Sequence, residues 1–203
     1  MRPDGRVQPA GMLAQLTSAP KPPDAPSFKT FERRVPDGDT LERLVCRDCG
    51  HIHYDNPKIV VGAVITQGEK FLLAKRAIHP RKGYWTLPAG YLEERETTEA
   101  GAAREAMEEA GATIAIDALL AVYSIPRISQ VQLIYRATLA SPEFAAGPES
   151  LEVGLFAWDD IPWTELAFPS VVWSLNYFRE VQGVKVFAPF TNPVGDLGNG
   201  APA

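Results

Sequence analysis

The sequence predicts a mixed α/β sandwich, with helices covering a mixed sheet, and three observations lead there. Six β-type runs and two helical ones occupy the middle of a 203-residue chain. They do not alternate regularly enough for a doubly wound parallel sheet. The composition, 45% hydrophobic and 22% charged, is that of a globular domain with a sizeable core. No run approaches the ~18 consecutive apolar residues of a membrane span, so an integral membrane protein is not expected.

The first 36 residues carry seven of the 18 prolines and no apolar periodicity, and residues 1–40 are expected to form a flexible arm. No apolar h-region follows Arg2 and Arg6, so a secretory signal is not expected and the cytoplasm is the default. Lys58–Thr66 and Lys70–Lys75 read as strands joined by Gln67-Gly68-Glu69, a hairpin. Trp85–Ala89 reads as a short strand ending at Gly90. Glu96–Ala110, rich in Ala, Glu and Arg, is the clearest helix, and Gly111 stops it. Thr113–Ser124, Val131–Leu139 and Val153–Trp158 are further strands, and Pro169–Val181 is a second helix. Residues 186–203, with Gly195, Gly198 and Gly200, read as a flexible tail.

The formal charge of −5 has an address. Glu93, Glu94, Glu96, Glu99, Glu105, Glu108 and Glu109 against Arg95 and Arg104 give −5 within 17 residues; the remaining 18 basic and 18 acidic residues cancel. No basic patch marks a nucleic-acid binder. On the first helix Glu105, Glu108 and Glu109 stand at i, i+3 and i+4, so their carboxylates share a face. Ala100, Ala103, Met107 and Ala110 are expected opposite them, lying on the sheet. Like charges at i+4 destabilise a merely solvated face, whereas clustered oxygen donors suit a hard cation, Mg²⁺ first and Mn²⁺ second.

The segment from Gly90 to Ala112 resembles the Nudix box, G-x5-E-x7-R-E-U-x-E-E-x-G-U, with U a bulky aliphatic. Gly90, Glu96, Arg104, Glu105, Glu108, Glu109 and Gly111 all match, while Ala106 and Ala112 depart at the U positions. The resemblance implies a Nudix-type α/β/α sandwich over residues 58–185. It implies divalent cations bound by Glu105, Glu108 and Glu109 with the Gly90 carbonyl, Glu96 as an accessory carboxylate, and Arg104 orienting its glutamate neighbours. The implied reaction is hydrolysis of a nucleoside diphosphate linked to another moiety, by water activated by metal and carboxylate. ADP-ribose is the leading substrate, ahead of NADH and FAD. A Nudix-fold module that senses a nucleotide without cleaving it is the rival, although such modules can lose box carboxylates and none is lost here.

Residues 41–57, with Cys46-Arg-Asp-Cys49, are similar to the zinc ribbon that precedes the Nudix domain in relatives of NADH pyrophosphatase. A structural zinc site takes four ligands, commonly from two CxxC knuckles, and this chain has two cysteines. The expectation is a vestigial ribbon with reduced thiols. A structural Zn²⁺ at Cys46 and Cys49, completed by His51 and His53 or by a second chain, is the alternative, and a disulfide a further one. The family also takes a carboxylate from a loop beyond the box, and Glu149 and Glu152 both qualify, with Glu152 preferred as base because it sits nearer the strand. Pro126, 15 residues past Gly111, with Arg127 and Tyr84, would contact substrate. Family analogy implies a homodimer, with a small nucleotide derivative rather than nucleic acid or membrane as partner.

Overall fold

A computed structural model describes residues 30–198 of the chain. The residues divide after Asp55 into a small and a large unit. The small unit is a three-stranded antiparallel sheet in the order β1 (Phe31–Arg34), β2 (Arg43–Cys46), β3 (Ile52–His53). Phe31 pairs with Cys46 and Val45 with Ile52 around a fully buried Val45. This sheet starts ten residues before the ribbon-like segment expected at 41. The Phe31-Glu-Arg-Arg strand has one apolar residue and no periodicity, and is fixed by ladder hydrogen bonds. Residues 1–29 of the expected arm lie outside the described residues.

In the large unit the sheet runs β10 (Ser150–Phe156), β5 (Lys70–Arg76), β4 (Lys58–Gln67), β9 (Gln130–Leu139), β8 (Ile114–Ile125). The pairing of β4 with β9 is parallel and the others are antiparallel, so the sheet is mixed as expected. Strand β4 is buried from Val61 to Thr66 because both of its faces are covered, which explains its unbroken apolar run. The expected strand Trp85–Ala89 is two: β6 (Trp85–Thr86) on β5, then β7 (Ala89–Tyr91) on β4. Pro88 between them lacks the N–H a ladder needs.

Helix α1 (Thr98–Ala110) covers one face and α2 (Pro169–Glu180) the other. Thr97 caps α1 by accepting a hydrogen bond from the Ala100 amide, so the helix begins two residues later than expected. Gly111 ends it in the left-handed conformation, φ 56°. Its packing stripe is Ala102, Ala106 and Ala110 against Val61, Ile65, Leu72 and Tyr135. Ala100 and Met107, expected on that stripe, are exposed. On the other face Val171, Leu175 and Phe178 of α2 meet Phe71, Leu73, Leu120 and Tyr123.

The expected tail is ordered through Gly198 along β8. Phe190 exchanges backbone hydrogen bonds with Leu120 and Val122, and its ring stacks on Tyr177 at 4.2 Å. The Asn192 amide answers both backbone groups of Ser124, at 2.8 and 3.0 Å, in the manner of a neighbouring strand. Its glycine- and proline-rich composition conceals these three anchors.

Candidate active site

The cleft of the large unit has a volume of about 1070 Å³ and is lined by α1, the segment 86–93, the loop after β5, the β8–β9 connection, Glu149 and the start of α2. Helix α1 supplies Arg104, Glu105, Glu108 and Glu109. Because the packing stripe runs through Ala102 and Ala106, Glu105 and Glu109 lie about 100° round the helix from it, beside the sheet rather than opposite it. Both are therefore buried, 8% and 7% exposed, while Glu108 is in solvent.

Gly90 makes this burial feasible. A Cβ there would stand 2.4 Å from the Glu105 carboxylate, so any larger residue would displace that carboxylate from its place beside β7. One residue earlier, the Ala89 amide donates to Glu109 Oε2 at 3.1 Å. Arg104 binds the remainder together. Its Nε donates to Glu96 Oε1 at 2.9 Å, and its Nη1 to Glu105 Oε1 at 2.7 Å and Glu108 Oε2 at 2.9 Å. Its Nη2 reaches the Tyr91 carbonyl and Glu96 Oε2. Glu96 thus reaches the site from the loop before α1, outside the helix expected to contain it.

These partners set the protonation of the carboxyls. Arg104 holds Glu96 below the usual carboxylate range. Burial pushes Glu105 up, opposed by Arg104. Burial raises Glu109 to about 7, with the Ala89 amide and Arg76 pulling down and Glu105 and Glu149 pushing up. Arg104, facing three carboxylates, holds its proton more firmly than a free arginine.

Glu149, not Glu152, is the downstream carboxylate in the cleft. The loop before β10 docks on the end of α1, where the Ala145 amide donates to Ala110 and the Gly147 amide to Glu109. A Cβ on Gly147 would fall 1.7 Å from the Glu108 carbonyl, so this docking requires glycine. The Glu149 carbonyl is then fixed by the Ala77 amide at 2.7 Å. Val153 and Leu155 belong to the α1-side layer, so Glu152 falls on the opposite parity, exposed and outside the cleft.

Of the expected substrate contacts, Arg127 lines the cleft and is exposed. Pro126 opens the turn that presents it without lining the cleft itself. Tyr84 is half-buried beneath the Arg81 guanidinium, 4.5 Å from its ring centroid, and does not line the cleft. Arg76, Arg81 and Phe168, which do line it, were not singled out from the sequence because they follow no recurrent spacing.

Among the described residues no three His, Cys, Asp or Glu side chains form a ready-made metal cage, since Arg104 spans Glu105 and Glu108. The donor set still fits a hard cation. Mg²⁺ is usually held by one or two carboxylates together with substrate phosphates rather than by a closed protein cage. Two buried carboxylates without full charge compensation, with Glu108 and Glu149 beside them, meet that requirement.

The family model of the NUDIX domain matches residues 56–174. The chain belongs to the NUDIX family. The Nudix N-terminal model, a zinc ribbon, matches residues 29–55, in agreement with the early start of the small sheet. An ADP-ribose pyrophosphatase of Methanocaldococcus jannaschii is 32% identical over 134 residues, covering 64% of this chain and 78% of that protein. The NAD-capped RNA hydrolase NudC of Citrobacter koseri is 30% identical over 120 residues, 59% of this chain and 46% of that protein. The NUDIX chain thus spans about half of NudC's length. A NUDIX hydrolase from Nitrosomonas europaea of known crystal structure superposes with a TM-score of 0.75 at 46% identity, covering 80% of this chain and 93% of that one. These likenesses bear out the expected family, sandwich fold and enzyme class, a Nudix pyrophosphohydrolase.

In the small unit Cys46 and Cys49 are free thiols at one turn. Backbone amides of Cys49 and Asp48 donate to the Cys46 sulfur and lower its pKa. His53 is engaged by Asp55 at 3.1 Å, and His51 is exposed.

Proposed function

We propose that the protein hydrolyses the pyrophosphate of ADP-ribose to AMP and ribose 5-phosphate, with Mg²⁺ or Mn²⁺ held by Glu105, Glu108 and Glu109 and the Gly90 carbonyl. The observation that carries this reading is the intact carboxylate set of α1, two members of it buried, in a cleft of about 1070 Å³. A divalent cation there would supply Lewis-acid stabilisation of phosphate oxygens and lower the pKa of a bound water. The chain's own residues do the rest. Glu105 and Glu109 present desolvated oxygens, Arg104 orients Glu105 and Glu108, and Glu149, a lining residue of the same cleft, takes the proton of the attacking water.

Support for ADP-ribose comes from the Methanocaldococcus jannaschii relative, and NADH and FAD stand behind it. The same reading has the enzyme act in the cytoplasm, as a homodimer, on a free small molecule, with the Cys46–Cys49 turn carrying no zinc. The test is AMP release from ADP-ribose, NADH and FAD with each cation, for wild type, Glu105→Gln and Glu109→Gln. Metal-dependent turnover that either variant leaves unchanged would refute the assignment. Tight binding of ADP-ribose with no product from any of the three would favour a sensor.

A further inference from the structure

The cleft holds two arginines that touch no carboxylate among the described residues, although the charge of Arg76 is felt at Glu109. Among the described residues Arg76 and Arg81 form no ion pair, whereas Arg104 and Arg136 are both committed to acidic side chains. They share a posture. Arg76 Nε donates to the Pro80 carbonyl at 2.8 Å and its guanidinium lies 5.2 Å from the Phe168 ring centroid. Arg81 Nε donates to the Ala167 carbonyl at 3.1 Å and its guanidinium lies over Tyr84. A carbonyl at Nε and a ring against the face fix the plane of each guanidinium. The Nη groups, which are the fork that binds phosphate in bidentate fashion, have no hydrogen-bond partner among the described residues.

Arg81 also sits at φ 61°, in the left-handed region that penalises arginine and suits glycine. Among the described residues, the non-glycine positions with positive φ are Arg81, Arg95 and Ser129, and of these Arg81 lines the cleft while the other two do not. A strained backbone at a cleft-lining arginine points to a role for its side chain rather than for the turn.

We propose that Arg81, seconded by Arg76, determines specificity by gripping the substrate phosphate that the box carboxylates and their cation do not hold. This rests on the reading of the cleft as a pyrophosphate site and goes beyond it by dividing the two phosphates between two sets of residues. A pyrophosphate carries one charged group for each set, so substrates with an esterified second phosphate are bound through both. A compound with a single phosphate engages only one.

The test uses Arg81→Gly and Arg81→Lys in the full chain. Arg81→Gly relieves the backbone strain but gives up the Ala167 hydrogen bond and the Tyr84 contact, so its own melting temperature in chelator is the baseline from which its pyrophosphate shift is read. Inorganic pyrophosphate in the same metal-free buffer should raise the melting temperature of wild type most, that of Arg81→Lys less, and that of Arg81→Gly, where Arg76 alone is left, least. With Mg²⁺ and ADP-ribose, Arg81→Gly should raise KM by about 10- to 100-fold, the range for a lost hydrogen bond to a charged group, with the larger part of the loss in KM rather than kcat. A pyrophosphate shift for Arg81→Gly equal to that of wild type would overturn the proposal. Failure of wild type to cleave ADP-ribose would instead count against the substrate assignment, and the metal-free pyrophosphate shift would still decide the role of Arg81.

Discussion

Removing divalent cations and raising the pH should destabilise this protein through Glu109. Its carboxyl titrates at about 7 in the folded chain against an ordinary 4.5. The raised value means that the folded state binds the proton more tightly than the unfolded state does. The associated stability is fully present below pH 4.5 and is lost as the pH rises through about 7. The interval corresponds to about 3.5 kcal/mol at ~1.4 kcal/mol per pH unit. Glu105, also raised, acts in the same direction, while Glu96, lowered by Arg104, acts in the opposite direction and only at the acid end of this window, where its unfolded form takes up protons. For a chain of this size about 3.5 kcal/mol is about 7–14 °C of melting temperature. The assay is thermal unfolding in chelator from pH 5 to pH 8, repeated with Mg²⁺ in excess. Metal-free wild type should melt progressively lower towards pH 8, with Mg²⁺ restoring about 2.7 kcal/mol at a hundred times its Kd. Glu109→Gln, neutral throughout, should lose most of the slope. A flat melting temperature for metal-free wild type, or an equal slope in Glu109→Gln, would refute the reasoning.

Two further outcomes are expected. Glu149→Gln should reduce kcat by about 100-fold or more, as for loss of a general base, whereas Glu152→Gln should retain wild-type turnover; steady-state kinetics of the pair separates them. Ala106→Leu supplies the bulky aliphatic of the box at a position with no exposed surface, between α1 and the sheet. It should cost about 1–3 kcal/mol of stability by overpacking, read from urea unfolding.

What was legible in the sequence followed from regular spacing. The α1 carboxylates, the β4–β5 hairpin and the two helices all show in periodicity or in turn residues, and the family shows in the fixed offsets between Gly90 and Gly111. What was hidden depended on departures from regularity. The register shift between Ser150 and Glu152 and the docking of Gly147 decide which glutamate enters the cleft, and neither leaves a mark in the local pattern. The packing face of α1 was misjudged because Glu105 and Glu109 share its margin, where polar residues are read as exposed. Arg76 and Arg81 meet only through the fold, by way of carbonyls at Pro80 and Ala167 and rings at Phe168 and Tyr84.

The segment along β8 also bears on how copies of this chain behave at high concentration. A five-stranded path leaves two outer strands, each a row of backbone groups open to pairing with another molecule. Phe190 and Asn192 occupy that row on β8 from Leu120 to Ser124. On β10 the register shift beside an exposed Glu152 breaks the row from the other side. An exposed charge on an outer strand disfavours pairing with another sheet, and trimming the chain at Lys185 would uncover the β8 row that Phe190 and Asn192 cover.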